Sequence, residues 1–407
     1  MGTSDDGDAP FLPAYGKGTL AEVLPSMAAA LGVAGFDDTL GLARHDDVTA
    51  AGVLLVDGLG AELLAAHAAD APVLTELART SRTITSCFPA TTAVSITSLG
   101  TGEPPGEHGL TGYSMGVPPL DDPEAEPDVV LNTLRWCAHG ATDPVDLLTE
   151  LPPETVQTRP TVLQQAARAG VTVSTVAPEI QRRSGLTRAA LRGGRFHGST
   201  ALGDLAVDLL HGLDVDRSPG HEERALCYAY HGDLDMIGHL HGPGSLPWRI
   251  QLRIVDSLVG SVLERLVPGA ILLVVADHGM IATDRGWHVD VDLTPSLLHG
   301  VRRLAGEARV RHVYAADGAA GDVLDAWRGE LGERAWVCSR DEAIAAGWFG
   351  PVVDDVARGR IGDVVAAARG NWALVRSRNE PQESALVGHH GSLTSAEQRV
   401  PMLLARG

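Results

Sequence analysis

Residues 271–280 read ILLVVADHGM. Six apolar residues, rich in branched side chains, run straight into Asp277, His278 and a glycine. An apolar run of this length with no polar alternation is the pattern of a strand covered on both faces. Aspartate and histidine are both metal-binding types, and here they stand together where a buried strand ends. Just upstream, RIQLRIVDSLVGSVLERLV (249–267) has the spacing of an amphipathic helix. Further out, GVLLVDG (52–58), TVSTVAP (172–178) and ALCYAYH (225–231) repeat the buried-strand pattern, and AELLAAHAADAPVLTELAR (61–79) has helical spacing. Buried strands alternating with helices predict an α/β fold with a mostly parallel sheet and helices on both faces. In such sheets ligands bind beyond the carboxyl ends of the strands.

The chain has 407 residues, enough for more than one compact unit. Residues 1–20 read as a polar arm, 21–281 and 386–407 as the core. Residues 282–385 differ in character: VRHVYAA (310–316), GDVLDAWRGEL (321–331) and RAWVCS (334–339) suggest an inserted, smaller α+β cap. The formal net charge is −20 and Lys17 is the single lysine. A chain this acidic is poorly suited to long nucleic acid, whose phosphates demand basic surfaces. A small phosphorylated ligand stays open, because bound metal supplies positive charge. The four cysteines, Cys87, Cys137, Cys227 and Cys338, are widely spaced with no CxxC, which suits reduced thiols. No apolar leader and no membrane-length run is visible, so a cytoplasmic monomer or small homo-oligomer away from membranes is expected.

Acidic and histidine residues gather at strand ends. Asp57 ends the first strand, Asp235 and His239 follow the strand at 225–231, Asp277 and His278 end the strand quoted above, and His389 and His390 sit in GHHG. Each alone has an ordinary reading as a turn or cap residue. Residues 235 and 239 share a helix face, and His231, Asp233 and His241 compete with them in the same segment. Aspartate and histidine without cysteine suit Zn²⁺ or Mn²⁺, and the set is large enough for two divalent ions. A pair of ions suits in-line displacement at phosphorus. In SCFPATTAVSITSLGTGEPPGEHG (86–109), Thr91 and Thr92 precede a helix-like run. A hydroxyl there faces the positive end of a helix dipole and, next to a metal, becomes a nucleophile; a capping role is the ordinary alternative. GLGAEL (58–63) lacks the third glycine of a dinucleotide fingerprint, and YGKGT (15–19) lacks the first glycine of a P-loop.

Taken in order, VDG, FPATT…TG…P…HG, DMIGH…GP, ADHGM and GHHG resemble the nucleotide pyrophosphatase/phosphodiesterase branch of the alkaline phosphatase superfamily, which also holds phosphonoacetate hydrolases. The resemblance covers about residues 50–280 and 386–405 and implies an alkaline phosphatase-like sandwich. It implies that Asp57, Asp277 and His278 hold one ion, which also contacts the nucleophile, and that Asp235, His239 and His390 hold the other. An ungapped match puts the nucleophile on Thr92 rather than Thr91, and G-x-H-G puts the ligand on His390 rather than His389. The family's phosphate-binding asparagine after HG is missing: HGLTGYSM offers Tyr113, and Asn132 in LNTLRW is the candidate replacement. Trp136, Trp287 and His288 are further candidates for substrate contact. Within the branch, GLTGY…LNTLRW is most similar to actinobacterial phosphodiesterases that degrade cyclic di-AMP. That implies cleavage first to pApA and then to AMP. A general nucleotide pyrophosphatase, a phosphonoacetate hydrolase, a phosphomutase and a nucleotide sensor without catalysis are the alternatives.

Overall fold

The computed structural model describes residues 9–42, 48–119, 127, 129–140, 145–215 and 223–407. In chain order its principal strands are β1 (Ala50–Val56), β2 (Arg82–Thr85), β3 (Thr172–Pro178), β4 (Arg195–Ser199), β5 (Ala225–His231) and β6 (Ala270–Val275). The chain then leaves for β7 (Val301–Glu307), β8 (Val310–Ala315), β9 (Ala335–Ser339) and β10 (Val364–Ala368), and returns as β11 (Arg399–Arg406). Among the described residues, seven strands form the main sheet in the order β2-β11-β6-β1-β5-β3-β4. The pairings β6-β1, β1-β5, β5-β3 and β3-β4 are parallel, whereas β11 runs antiparallel to both β6 and β2. Every residue of β1, β5 and β6 is buried, which is why these segments read as unbroken apolar runs.

Register sets the site. Val56 lies opposite His231, and Leu55 lies opposite both Tyr230 and Val275. The three central strands therefore end at one level, and the segments after them emerge on one edge. α1 (Thr92–Thr101) follows β2; α2 (Asp233–His241) and α3 (Leu246–Leu263) join β5 to β6. The helix expected over 61–79 is broken into Ala61–Ala66, a short turn at Ala68–Asp70 and Pro72–Ala78. Pro72 starts a new helix rather than continuing one, because it has no N–H to donate to the turn before.

The second sheet has the order β7-β8-β10-β9, all antiparallel, and α4 (Ala320–Leu331) packs on it. Val313, Trp327, Leu331, Val364 and Ala366 form its own buried cluster. The short strands Ile281–Ala282 and Gly388–His389 pair antiparallel and bring the chain back beside its point of departure. The arm expected over residues 1–20 is packed where it is described. Phe11 N donates to Leu393 O, Tyr15 OH donates to Trp348 O, and Leu20 is fully buried. The four cysteines are free thiols. Among the described residues no helix is long and apolar enough to cross a membrane.

Candidate active site

Asp57, the residue after β1, still follows the ladder: its N–H donates to His231 O at 2.9 Å. Gly58 then turns at φ +74°, and a Cβ there would lie 3.0 Å from the Asp235 Cβ. Glycine at this point lets the first strand end approach α2 closely. Asp277 Oδ1 accepts from Gly58 N and His278 N, each at 3.1 Å. Asp57 Oδ2 accepts from Tyr230 OH at 2.5 Å. Each carboxylate thus has one oxygen fixed by the protein and one left over.

Three oxygens, Asp57 Oδ1, Asp235 Oδ1 and Asp277 Oδ2, are buried without a hydrogen-bond partner among the described residues. Around them stand His239, His278 and His390. The Nδ1 of each faces a carbonyl oxygen: Gly388 O at 2.8 Å, Gly279 O at 2.9 Å and Ala90 O at 2.9 Å, respectively. A carbonyl only accepts, so Nδ1 carries a proton and Nε2 points inward, presenting a lone pair whenever the ring is neutral. His278 Nε2 lies 3.3 Å from Asp57 Oδ1 and 3.4 Å from Asp277 Oδ2. His239 Nε2 lies 3.2 Å from Asp235 Oδ2, and His390 Nε2 lies 3.2 Å from His239 Nε2 and 3.9 Å from Asp235 Oδ1. At that separation either one ring donates a proton to the other or both face a cation. Two groups have the spacing of a metal site, Asp57–Asp277–His278 and Asp235–His278–His390. The donor set fits hard-to-borderline divalent cations and offers no thiolate.

The electrostatics follow from crowding. Burial, and then the neighbouring Asp277 and Asp235, drive the Asp57 carboxyl well above the usual range. Burial opposes charge on His239 and Asp235 alike, yet their contact overrides it, lifting His239 to about 9 and holding Asp235 below the usual carboxylate range.

Thr92 opens α1, and its Oγ1 lies 3.2 Å from His278 Nε2. Thr91 is the N-cap residue, but its side chain makes no capping bond; its hydroxyl donates to Glu307 Oε2 at 3.3 Å. The first-turn amides of α1 are left for an anion. A cleft of about 380 Å³ lies over this point, lined by Thr91, Thr92, Tyr113, Asp235, His239 and His390 and walled by Leu134, Met236, Leu240 and Leu386. A smaller depression of about 230 Å³ near Glu107 and Arg159 is lined by none of these groups.

The remaining sequence candidates fall elsewhere. Tyr113 lines the cleft, with its hydroxyl pushed up to about 12 by burial. Asn132 Oδ1 accepts from Leu134 N at 3.1 Å and Arg135 N at 2.9 Å. Asn132 therefore builds a turn through Oδ1, and Nδ2 is the atom that could donate to a phosphate oxygen. Trp136 is fully buried and donates Nε1–H to Leu151 O, so it has no face to offer a base. Trp287 is 43 % exposed and stacks edge-on with Trp372, outside the cleft. His288 is half-buried on a strand paired with Ala373–Val375, also outside it. His389 lines the cleft, but its Nε2 faces Leu386 O and burial lowers it to about 3. His231 bonds Gln251, and Asp233 and His241 are exposed. Sequence reasoning missed Tyr230, which fixes Asp57, and Glu307, which burial raises to about 8. Tyr230 sits on a strand whose pattern signals only burial, and Glu307 comes from the second sheet, with no local motif.

Residues 52–393 match the family model described as type I phosphodiesterase / nucleotide pyrophosphatase. In fold the chain is similar to murine ectonucleotide pyrophosphatase/phosphodiesterase 5, solved as an inactive variant in complex with AMP. The TM-score is 0.65 at 17 % identity, covering 86 % of this chain and 87 % of that one. It is also similar to phosphonoacetate hydrolase from Sinorhizobium meliloti 1021 in complex with phosphonoacetate, with TM-score 0.62 at 20 % identity over 89 % and 90 % of the two chains. A phosphopentomutase of Anaeromyxobacter dehalogenans (strain 2CP-C) is 29 % identical over 176 residues, which span 42 % of this chain and 41 % of that protein. The chain spans well under half the length of the curated relatives it matches.

Proposed function

The chain belongs to the type I phosphodiesterase / nucleotide pyrophosphatase family of the alkaline phosphatase superfamily, and on that premise we propose that it is a two-metal phosphodiesterase with Thr92 as nucleophile. The observation that carries the reading is the inward set of three Nε2 atoms and three unpartnered carboxylate oxygens beside the Thr92 hydroxyl. Asp57, Asp277 and His278 would hold one ion and Asp235, His239 and His390 the other, either Mn²⁺ or Zn²⁺. Ions there supply Lewis acidity and offset charge on the transferring group. Thr92 Oγ1 attacks phosphorus, forming a phosphothreonine and releasing the first alcohol; water then cleaves the Thr–phosphate bond and restores the hydroxyl. The amides at the start of α1 and the Tyr113 hydroxyl orient the phosphoryl oxygens. Residues 282–385 cap the site and bring Glu307 to it.

The substrate proposed is cyclic di-AMP, opened to pApA and then cut to AMP, by a cytoplasmic protein acting on small nucleotides rather than long nucleic acid. The test is chromatographic product analysis with Mn²⁺ and cyclic di-AMP, pApA, cyclic di-GMP, ATP and phosphonoacetate in parallel. AMP accumulating from cyclic di-AMP alone supports the whole reading. Cleavage of ATP or phosphonoacetate with cyclic di-AMP inert keeps the metal chemistry and overturns the substrate. Stoichiometric binding with no product makes the chain a sensor.

A further inference from the structure

A second cavity of about 480 Å³ adjoins the metal cleft and shares Arg135, Glu380 and Glu383 with it. That volume lies in the range of roughly 300–1,000 Å³ found for small-molecule sites. Its lining is polar: Asn132, Arg135, His139, Arg378, Asn379 and Gln382 among others. Many arginines among the described residues are tied to carboxylates, such as Arg249 and Arg253 to Asp70 or Arg309 to Glu397. Arg135 and Arg378 are exposed, and neither has a carboxylate partner among the described residues. The nearby Glu380 is already satisfied by Arg311 at 2.8 Å, Arg376 at 3.5 Å and His139 at 3.0 Å. The one other acid on the wall is Glu383.

Both arginines stand on backbone that is fixed in advance. Asp292 accepts from Arg376 Nε at 3.1 Å, Arg378 N and Asn379 N at 3.0 Å, and Asn379 Nδ2 at 2.9 Å. This buried carboxylate therefore shapes the loop that carries Arg378. Asn132 shapes the Arg135 turn in the same way, and the next residue, Trp136, sits at φ +57°. A bulky side chain in that region is disfavoured and persists only where packing over-determines it. Here full burial of the indole and its bond to Leu151 O do so. The chain thus holds a strained turn whose exposed product is the Arg135 guanidinium, between the two cavities.

We propose that the cavity at Arg135 and Arg378 is a second anion subsite, which takes the distal phosphate of a dinucleotide whose other phosphate lies at Thr92. This rests on the phosphodiesterase reading of the Thr92 site and assigns residues to the second phosphate of the dinucleotide proposed there. Guanidinium pairs suit phosphate because their donors are fixed in a fork and their charge is permanent.

The test compares pApA with ApA, which differ only in the 5′-phosphate. Affinities are measured calorimetrically on the Mn²⁺-loaded Thr92→Ala protein, so binding is read without turnover. pApA should bind at least about tenfold tighter than ApA, the scale of one charge-assisted hydrogen bond. Arg135→Gln and Arg378→Gln should each reduce that ratio severalfold, and Arg378→Lys should recover most of it. A ratio near one in the parent, or a ratio unmoved in both Gln variants, overturns the subsite. Turnover of ApA and pApA by the unsubstituted protein is scored separately. If neither is cleaved, the phosphodiesterase reading fails, while the binding ratio still decides the subsite.

Discussion

His278 and His390 stack their imidazole rings, with centroids 3.6 Å apart and planes 12° from parallel. One ring follows β6 and the other follows the returning strand Gly388–His389, so the two ligand groups meet at a shared wall. A nucleophile beside His278 is therefore within reach of both groups, as an in-line displacement at phosphorus requires.

Thr92→Ala is expected to lower turnover of a phosphodiester by at least about 10³-fold, the scale seen when a covalent nucleophile is removed. Metal content by plasma mass spectrometry should change little, because the carboxylates and imidazoles remain. Activity near that of the parent would remove Thr92 from the nucleophile position.

Cation binding should stabilise the fold. Three buried carboxylate oxygens lie close together without a hydrogen-bond partner, and a proton on His239 offsets only part of their charge. A ligand at 100 times its Kd contributes about 2.7 kcal/mol. Adding Mn²⁺ or Zn²⁺ to chelator-treated protein should raise Tm by a few degrees, and Asp57→Asn should abolish most of the rise. A Tm indifferent to both ions would contradict the metal assignment.

Acid should weaken the packing of the segment 108–111, one side of which meets β8. His312 Nε2–H donates to Thr111 O while Nδ1 accepts from Gly362 N, so the neutral ring is required. His108 is held in the same way by Leu110 N and Ser98. Burial pushes His312 down to about 4 and His108 to about 3, from an ordinary 6.5. The unfolded chain therefore binds more protons below pH 6.5, and stability is complete above that value and falls as pH drops towards 4 and 3. Urea midpoints measured from pH 7 to pH 4 should decline, and His312→Gln should flatten part of the slope.

Glu397→Gln is expected to cost about 3–5 kcal/mol, because it leaves a buried Arg309 charge without its partner. Glu397 accepts from Arg309 Nε and Nη2, from Ser392 N and from the Thr394 hydroxyl, all fully or nearly fully buried. Denaturant unfolding checks the figure. A loss under about 1 kcal/mol would mean the pair is replaceable.

The main sheet was legible because parallel strands covered on both faces must be apolar throughout, and β1, β5 and β6 are. Asp57, Asp235, Asp277 and His278 were visible for a related reason: charged residues directly after such strands stand out. What the pattern hid depends on contacts distant in sequence. Glu307 reaches Thr91 across 216 positions. Trp136 reads as a candidate for substrate contact because aromatic composition does not report burial. The helix read over 61–79 overlooked Pro72, whose punctuation outweighs apolar spacing. Asn132 was visible as a polar residue in the right neighbourhood, but only the turn geometry shows its oxygen to be in use.

The antiparallel step between Ile281–Ala282 and Gly388–His389 makes the chain divisible. A break in the exposed stretch at Pro381–Gln382 would leave two pieces still joined by β11 on β6 and β2. The first piece carries Asp57, Thr92, Asp235, His239, Asp277 and His278; the second brings only His390. Two separately expressed polypeptides should therefore reassemble through sheet pairing, and His390 delivered on the shorter one becomes a switch by which activity reports complementation.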